Sequence, residues 1–178
     1  HAVEDSVLWL LEDNPAVSRN LRREAQARGI APQRLVFAPR MPLDEHLARH
    51  RLADLFLDTL PCNAHTTASD ALWAGLPVLT HPGPGFAARV AASLLHATGL
   101  PDLAVATAED YRTAAVRLGH DAAARAALRA RLAAERGRAP LFDTPRFTHG
   151  LEVAFAHMAV LHRGGQPPQG FDLTDGEP

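Results

Sequence analysis

The sequence lacks lysine altogether and has little cysteine. All 18 basic residues are arginines, which excludes a catalytic lysine within the chain. The only cysteine, Cys62, cannot form an internal disulfide, so the chain carries no signature of a secreted, disulfide-stapled domain. The net charge of −2 offers no electrostatic basis for binding nucleic acid.

Long apolar runs and the common nucleotide-binding motifs are also missing. No segment is long enough to cross a membrane, and no signal peptide is recognisable at the start. We therefore expect a cytoplasmic protein with neither membrane nor nucleic acid as a partner. The chain has no GxGxxG and no GxxxxGKS or GxxxxGKT pattern, so dinucleotide-binding and P-loop NTPase functions lack their usual motifs. Its histidines lack the spacing of structural metal ligands, and we predict no such site.

The sequence does contain an alternation of apolar strands and helical segments. Its 178 residues, 47% of them hydrophobic, suffice for one domain with a sizeable core, in which we expect Trp9 and Trp73. The continuous apolar run at residues 6–11 predicts a strand buried on both faces. The alternation predicts an α/β fold with a doubly wound, Rossmann-like parallel sheet. We place strands at residues 6–11, 35–38, 55–57, 77–80 and 103–105, and helices at 15–28, from 42, 66–75, 86–97, 108–118, 121–138 and 145–162.

One domain boundary is predicted near the C-terminus. Residues 1–163 are assigned to a single domain that includes a helix at 145–163, and the Gly-, Pro- and Gln-rich residues 164–178 to a loose tail. The chain has no initiating methionine and enters a strand almost at once. We therefore expect it to be a piece of a longer protein.

The stretch from Leu55 to Pro77 is the most informative part of the chain. A short apolar strand leads into a polar loop, and a helix is predicted to begin at Thr66 and Thr67. The first N–H groups of a helix have no intrahelical partner, and the helix dipole adds partial positive charge there, a combination that binds phosphate. Asp70, one turn further, is placed to accept hydrogen bonds from ribose hydroxyls. These residues indicate a nucleotide-diphosphate site, although helix capping alone would also account for the two threonines.

Three loops should meet around this site, because the carboxyl ends of parallel strands share one edge of a sheet. Asp58 could be catalytic, but capping of the loop that follows it is the favoured role. His81, at the end of a predicted strand, either has a functional role or only lines the crevice. Arg89 pairs with a phosphate or with Asp58, and the ion pair is favoured. The three loops comprise residues 41–49, 62–70 and 81–89.

Several segments together resemble the C-terminal catalytic half of the O-GlcNAc transferases, of bacterial type. The resemblance covers residues 6–163 and implies transfer of N-acetylglucosamine from UDP-GlcNAc to Ser or Thr hydroxyls of proteins. It implies a GT-B fold of two Rossmann-like domains, with this chain as the second, nucleotide-holding domain. Its partners would be the protein acceptor, a first catalytic domain and tetratricopeptide helices outside this chain. The matching segments are SVLWLL, RLVFAP, PLDEHLARHRLADLFLDT, CNAHTTASDALWAGLPVLT, ARVAAS and PLFDTPRFT.

The resemblance also implies which residues hold the donor's diphosphate and ribose. His65, Thr66 and Thr67 match the family's diphosphate-binding run, and Asp70 matches its ribose-binding aspartate. A loop histidine beside the diphosphate can stabilise charge as that group departs, so His65 is the candidate catalytic residue.

Base and sugar contacts follow from the same resemblance. His46 would pack on the uracil, Arg49 would lie near the base, and main-chain groups at Met41 would read the uracil edge. Cys62 would lie near the N-acetyl group of the sugar. Leu43 departs from the family, which often has a ribose-contacting lysine there, and the family's diphosphate-binding lysine lies upstream of this chain.

The implied reaction is an inverting glycosyl transfer that needs neither a metal nor a cofactor. Its general base is not identifiable in this chain, and the resemblance places candidates for it outside. In the GT-B fold the C-terminal helix crosses back to the first domain, so we expect helix 145–162 not to pack wholly on its own sheet. Its apolar face would find partners in that first domain; it comprises Leu151, Phe155, Met158 and Leu161.

Two alternatives remain open from the sequence. A sugar-nucleotide 2-epimerase shares the GT-B architecture but needs acid and base carboxylates in the cleft, and the His-Thr-Thr block does not resemble that family. A UDP-sugar sensor or binding module without turnover would keep the whole nucleotide motif, which does not separate it from a transferase.

Overall fold

The protein was analysed as a computed structural model that describes residues 2–173. Its four strands form two parallel pairs. β1 (Leu8–Leu11) pairs with β2 (Leu35–Ala38), and β3 (Phe56–Leu57) pairs with β4 (Val78–Leu79). Within residues 2–173 the two pairs remain separate sheets, so the single doubly wound sheet stays a prediction.

The predicted fifth strand is present only as one parallel bridge, which joins Thr80 to Ala104. Pro101–Leu103 forms a 3₁₀ turn immediately before it, with the Ala104 amide bonded back to the Pro101 carbonyl at 3.0 Å. Because Leu103 belongs to this turn and the Ala104 amide closes it, too few extended residues remain for a longer β-ladder with β4. The prediction of a strand over 103–105 was therefore wrong in extent.

The helices follow the predicted order, and their ends show the expected capping chemistry. The Asn14 side chain accepts a hydrogen bond from the Val17 amide at 3.0 Å at the start of the first helix, and Gly29 follows its end at φ 72°. The predicted helix over 86–97 divides into a 3₁₀ turn at Phe86–Ala88 and an α-helix. The α-helices are α1 (Pro15–Ala27), α2 (Leu43–Arg49), α3 (Thr66–Trp73), α4 (Val90–Ala97), α5 (Ala108–His120), α6 (Ala122–Glu135) and α7 (Thr144–Arg163).

The core lies around β4 and the helices α3 to α6. Leucines from several of these elements are fully buried, and both residues of β4 have no exposed surface. This packing fixes α3 on the sheet edge that carries the candidate site. The largest fully buried leucines are Leu72, Leu79, Leu95, Leu100 and Leu118.

The β1–β2 pair is far more exposed than its apolar sequence predicts. Leu8 and Leu11 expose 46% and 40% of their surface, and Val36 exposes 41%. The expectation that residues 6–11 are buried on both faces was wrong, because no described segment covers these side chains. Trp9 is only half-buried.

Trp73 was also expected in the core, and it is 47% exposed. It ends the short helix α3, where its ring lies 5.0 Å from that of Phe142 and 5.5 Å from the guanidinium of Arg136. These contacts cover only part of the ring, since the residue sits at the outer end of the helix.

Helix α7 has no buried residue. Of its predicted apolar face, Leu151 exposes 42% of its surface, Phe155 59% and Met158 49%, whereas Leu161 is half-buried, and the crossing to another domain stays a prediction. Residues 164–173 contain neither helix nor strand, and the remaining tail residues, 174–178, lie outside the described part. Among residues 2–173, no helix has both the length and the apolar character needed to span a membrane.

Candidate functional site

The start of α3 leaves two backbone donors without partners. The His65 carbonyl accepts hydrogen bonds from the Ala68 and Ser69 amides, both at 3.1 Å, which closes the first turn. Within residues 2–173 the Thr66 and Thr67 amides have no acceptor, and the His65 side chain does not cap the helix. Both threonine side chains are exposed. Free amides at a helix start attract an anion, because the helix dipole adds to their own partial charge.

The His65 ring is held by the turn that precedes α4. Its Nε2 lies 3.3 Å from the Ala87 carbonyl, and its ring meets Phe86 edge-on at 5.9 Å. A carbonyl only accepts, so Nε2 carries the proton in this contact. Nδ1 then remains for a ligand, and it donates a hydrogen bond only when the ring is protonated or has turned away from Ala87.

His46 and Arg49 form a second polar group on α2. The Arg49 Nη2 lies 2.7 Å from the His46 Nδ1, and its Nη1 donates to the Pro39 carbonyl at 3.0 Å. Because a guanidinium only donates, Nδ1 of His46 is the acceptor and the ring is neutral in this arrangement. The His50 Nδ1 donates to the His46 carbonyl at 2.7 Å and the two rings meet edge-on at 4.6 Å.

Burial lowers the pKa of His46, and the nearby His50 and Arg49 lower it further, whereas the Asp70 carboxylate opposes them. Asp70 of α3 is therefore among the charged groups that act on His46 of α2. Asp70 is half-buried, and its side chain has neither a hydrogen bond nor an ion pair within the described residues. A half-buried carboxylate without donors is suited to ligand hydroxyls.

Met41 and Cys62 lie on the loops that flank these groups. Met41 is half-buried after β2, on the loop that begins at the Pro39 carbonyl held by Arg49. Cys62 is exposed, and its thiol makes only a weak contact of 3.6 Å with the Asn63 carbonyl. Leu43, at the position of the absent lysine, exposes 64% of its surface.

Asp58 caps its loop, as favoured from the sequence. It is 6% exposed, and its Oδ1 accepts hydrogen bonds from the Thr59 and Ala64 amides at 2.8 and 2.7 Å. The expected ion pair between Arg89 and Asp58 is absent, because Asp58 is already satisfied by neutral donors and the Arg89 side chain is exposed. His81 donates from Nδ1 to the Val105 carbonyl at 3.2 Å, a contact with the protein's own backbone.

Sequence reasoning missed two residues that contact Asp58. The Thr80 hydroxyl donates to its Oδ2 at 2.6 Å, and the Tyr111 hydroxyl donates to its main-chain carbonyl at 2.7 Å. They lie 22 and 53 residues away along the chain, so no local pattern links them to the loop. The described residues contain no group of three or more His, Cys, Asp or Glu side chains that could hold a metal ion.

Gly83 is expected to tolerate alanine poorly. A Cβ there would lie 2.8 Å from the Cβ of Ala88, and its amide already donates to the Ala88 carbonyl at 2.7 Å. Neither atom can rotate away, so the turn that holds His65 must shift, at a cost of about 1–3 kcal/mol. Thermal unfolding should show Gly83→Ala less stable than the matched control Gly85→Ala, whose Cβ meets nothing within 4 Å. Equal midpoints for the two variants would refute this account.

The lowered pKa of His46 predicts a pH effect on stability. The fold favours the neutral ring, so this stabilisation is complete above the ordinary histidine pKa of about 6.5 and is lost as the pH falls through and below that value. In His46→Asn, an amide oxygen can still accept from Arg49 and does not titrate. As the pH is lowered from neutral to mildly acidic, the thermal unfolding midpoint of the wild type should therefore fall more than that of the variant. Parallel pH profiles would contradict the arrangement described here.

Comparison with known proteins identifies relatives of this chain. A sequence profile of glycosyl transferase family 41 matches residues 1–151. A UDP-N-acetylglucosamine–peptide N-acetylglucosaminyltransferase of Caenorhabditis elegans is 39% identical over 165 residues, which are 93% of this chain and 14% of the relative. A probable UDP-N-acetylglucosamine–peptide N-acetylglucosaminyltransferase of Arabidopsis thaliana, SEC, is 41% identical over 176 residues, 98% of this chain and 18% of the relative.

A solved structure agrees with these sequence matches. A mutant of the Thermobaculum terrenum O-GlcNAc transferase superposes with a TM-score of 0.80 at 37% identity, over 85% of this chain and 30% of that chain. The present chain thus spans less than a third of each of these relatives. The resemblance to O-GlcNAc transferases is confirmed, and the chain belongs to glycosyl transferase family 41.

Proposed function

We propose that this chain is the UDP-GlcNAc-binding catalytic domain of an inverting glycosyltransferase that modifies Ser or Thr hydroxyls of proteins. The observation that carries the proposal is the open start of α3, where two unpaired amides follow His65 and precede the unpaired Asp70 carboxylate by one helical turn. Family membership and the names of the relatives support the donor and the peptide acceptor.

The geometry suits a departing nucleoside diphosphate. The Thr66 and Thr67 amides bind the diphosphate oxygens, and His65 adds a donor or a positive charge on the adjacent side. Such preorganised donors stabilise charge that develops in the transition state, without the reorganisation that water would need. No metal or cofactor enters this proposal, in which α3 and the side chains around it supply the positive field. The general base that deprotonates the acceptor belongs to another part of the protein.

The nucleoside would lie between α2 and α3. Asp70 accepts hydrogen bonds from the ribose, while the neutral His46 ring packs on the uracil and Arg49 holds His46 in place. Main-chain groups at Met41 read the uracil edge, and Cys62 borders the N-acetyl group. The effect of the Asp70 carboxylate on the pKa of His46 supports this placement of the base and ribose contacts.

The remaining features of the chain fit the second domain of a GT-B enzyme. In the whole protein the two parallel strand pairs would be parts of one doubly wound, Rossmann-like sheet. The exposed apolar side chains of α7 would pack on a first catalytic domain, with residues 164–178 as a tail. We also propose that the whole protein carries tetratricopeptide helices outside this chain. Its proposed location is the cytoplasm.

Transfer assays on the full-length protein test the function directly. With UDP-GlcNAc and a Ser- or Thr-containing acceptor protein, we expect a β-linked N-acetylglucosamine on a hydroxyl and release of UDP. Binding of UDP without any transfer would instead favour a sensor. Release of an epimerised sugar would favour a 2-epimerase.

A further inference from the structure

Asp58 is the centre of a buried hydrogen-bond network that the proposed chemistry does not use. Its Oδ1 accepts from the Thr59 amide, at the start of the loop before α3, and from the Ala64 amide, at the end of that loop. One carboxylate oxygen thus closes the loop from both sides. The residue that follows Ala64 is His65, so the clamp ends directly before the proposed diphosphate-binding run.

The other carboxylate oxygen ties this loop to the sheet edge. The Thr80 hydroxyl, which is fully buried at the end of β4, donates to Oδ2 of Asp58 at 2.6 Å. Three donors at 2.6 to 2.8 Å occupy a carboxylate that is only 6% exposed, so Asp58 cannot also bind a ligand. Its role is therefore to hold other groups.

Tyr111 adds a third anchor, from α5. Its hydroxyl donates to the Asp58 main-chain carbonyl at 2.7 Å, and its ring packs against the core. Burial and the charge of Asp58 raise the pKa of Tyr111 to about 12, so the hydroxyl stays protonated and keeps donating at neutral pH. The loop is consequently fixed to β4 and to α5 at one residue.

We propose that Asp58, Thr80 and Tyr111 are positioning residues that set the orientation of the His65 ring toward the leaving diphosphate. This inference rests on the proposed function. The loop is also linked to the His65 ring through Ala87. The Asn63 amide donates to the Ala87 carbonyl at 2.8 Å, and the His65 Nε2 donates to the same carbonyl. A displaced loop would move both partners of that carbonyl.

Conservative variants can loosen the network without removing its packing. Tyr111→Phe keeps the ring and removes one donor, Thr80→Val keeps the size of the side chain and removes the hydroxyl, and Thr80→Ser keeps the hydroxyl. In the full-length protein we expect Tyr111→Phe and Thr80→Val each to lower kcat by about three- to tenfold, as for one lost hydrogen bond, with UDP affinity changed less than about twofold. Thr80→Ser should retain most of the kcat.

A buried threonine outside the network provides the matched control. The Thr98 hydroxyl donates to the Leu94 carbonyl at 2.9 Å, at the far end of α4. Thr98→Val should lower the thermal midpoint to a similar degree as Thr80→Val, with kcat unchanged. An equal loss of kcat in Thr98→Val and Thr80→Val would mean that stability alone governs turnover, and would overturn the proposal.

A double-mutant cycle with His65 separates positioning from a general structural effect. If Tyr111 acts through His65, then Tyr111→Phe should reduce kcat by less than about twofold in a His65→Ala background, because the group that it orients is already gone. The same fold-loss in both backgrounds would overturn the proposal while leaving the proposed function intact. If His65→Ala itself had no effect on turnover, the proposed function of this site would fail instead.

Discussion

His65→Ala is expected to lower kcat by about a hundredfold or more, the usual consequence of removing one preorganised charge-stabilising group. UDP affinity should change much less. The ground-state diphosphate retains the Thr66 and Thr67 amides, which have no other acceptor within residues 2–173. Only in the transition state does the departing group gain the extra charge that His65 is placed to stabilise, so the loss should appear in turnover rather than in binding.

On the full-length protein, calorimetry of UDP binding reports the effect on the ground state, and kcat from steady-state kinetics reports the effect on the transition state. Thr67→Ala should be milder than His65→Ala, since the backbone amide survives and only the hydroxyl is lost. His96→Ala, which removes an exposed histidine from the last turn of α4, is the matched control and should leave kcat unchanged. Near wild-type turnover combined with abolished UDP binding in His65→Ala would show a ground-state anchor, and the mechanism proposed here would be wrong.

Local sequence signals were sufficient for most of the elements, including the start of the helix that carries the candidate site. The Asn14 cap with Pro15, and the glycines at 29 and 99 in the left-handed region, define helix ends through interactions within a few residues. The start of α3 is equally local, because the unpaired amides of Thr66 and Thr67 follow from helix geometry alone. Such features need no knowledge of the distant chain.

Features that depend on distant packing were the ones that the sequence did not reveal. An apolar strand is buried on both faces only if other elements cover it, and Leu8 and Leu11 of β1 have no such cover in the described chain. Thr80 and Tyr111 reach Asp58 from positions that only the fold brings together. The loop cap at Asp58 was predictable from its neighbours, whereas its anchors on β4 and α5 were not.

Asp70→Ala is expected to weaken UDP binding by about 1–3 kcal/mol, roughly 5- to 150-fold, as for the loss of a hydrogen bond to a charged group. The sign of this effect is informative. Asp70 is anionic and lies on the helix that binds the diphosphate, so a purely Coulombic role would make the alanine variant bind UDP more tightly. A weaker complex instead requires that Asp70 accept hydrogen bonds from the ligand. The matched control is Asp44→Ala, which removes an exposed carboxylate from the first turn of α2.

Deoxy analogues of UDP locate the contact on the ribose. Wild-type protein should bind 2′-deoxy-UDP or 3′-deoxy-UDP more weakly than UDP, because a ribose hydroxyl that donates to Asp70 is then missing. In Asp70→Ala this discrimination should disappear, since each change removes a different partner of the same hydrogen bond and the two effects are not additive. Calorimetry that found unchanged UDP affinity in Asp70→Ala would reject the ribose role. Undiminished discrimination between UDP and both analogues in the variant would assign the ribose to other residues, and would leave the half-buried Asp70 carboxylate to act on His46 alone.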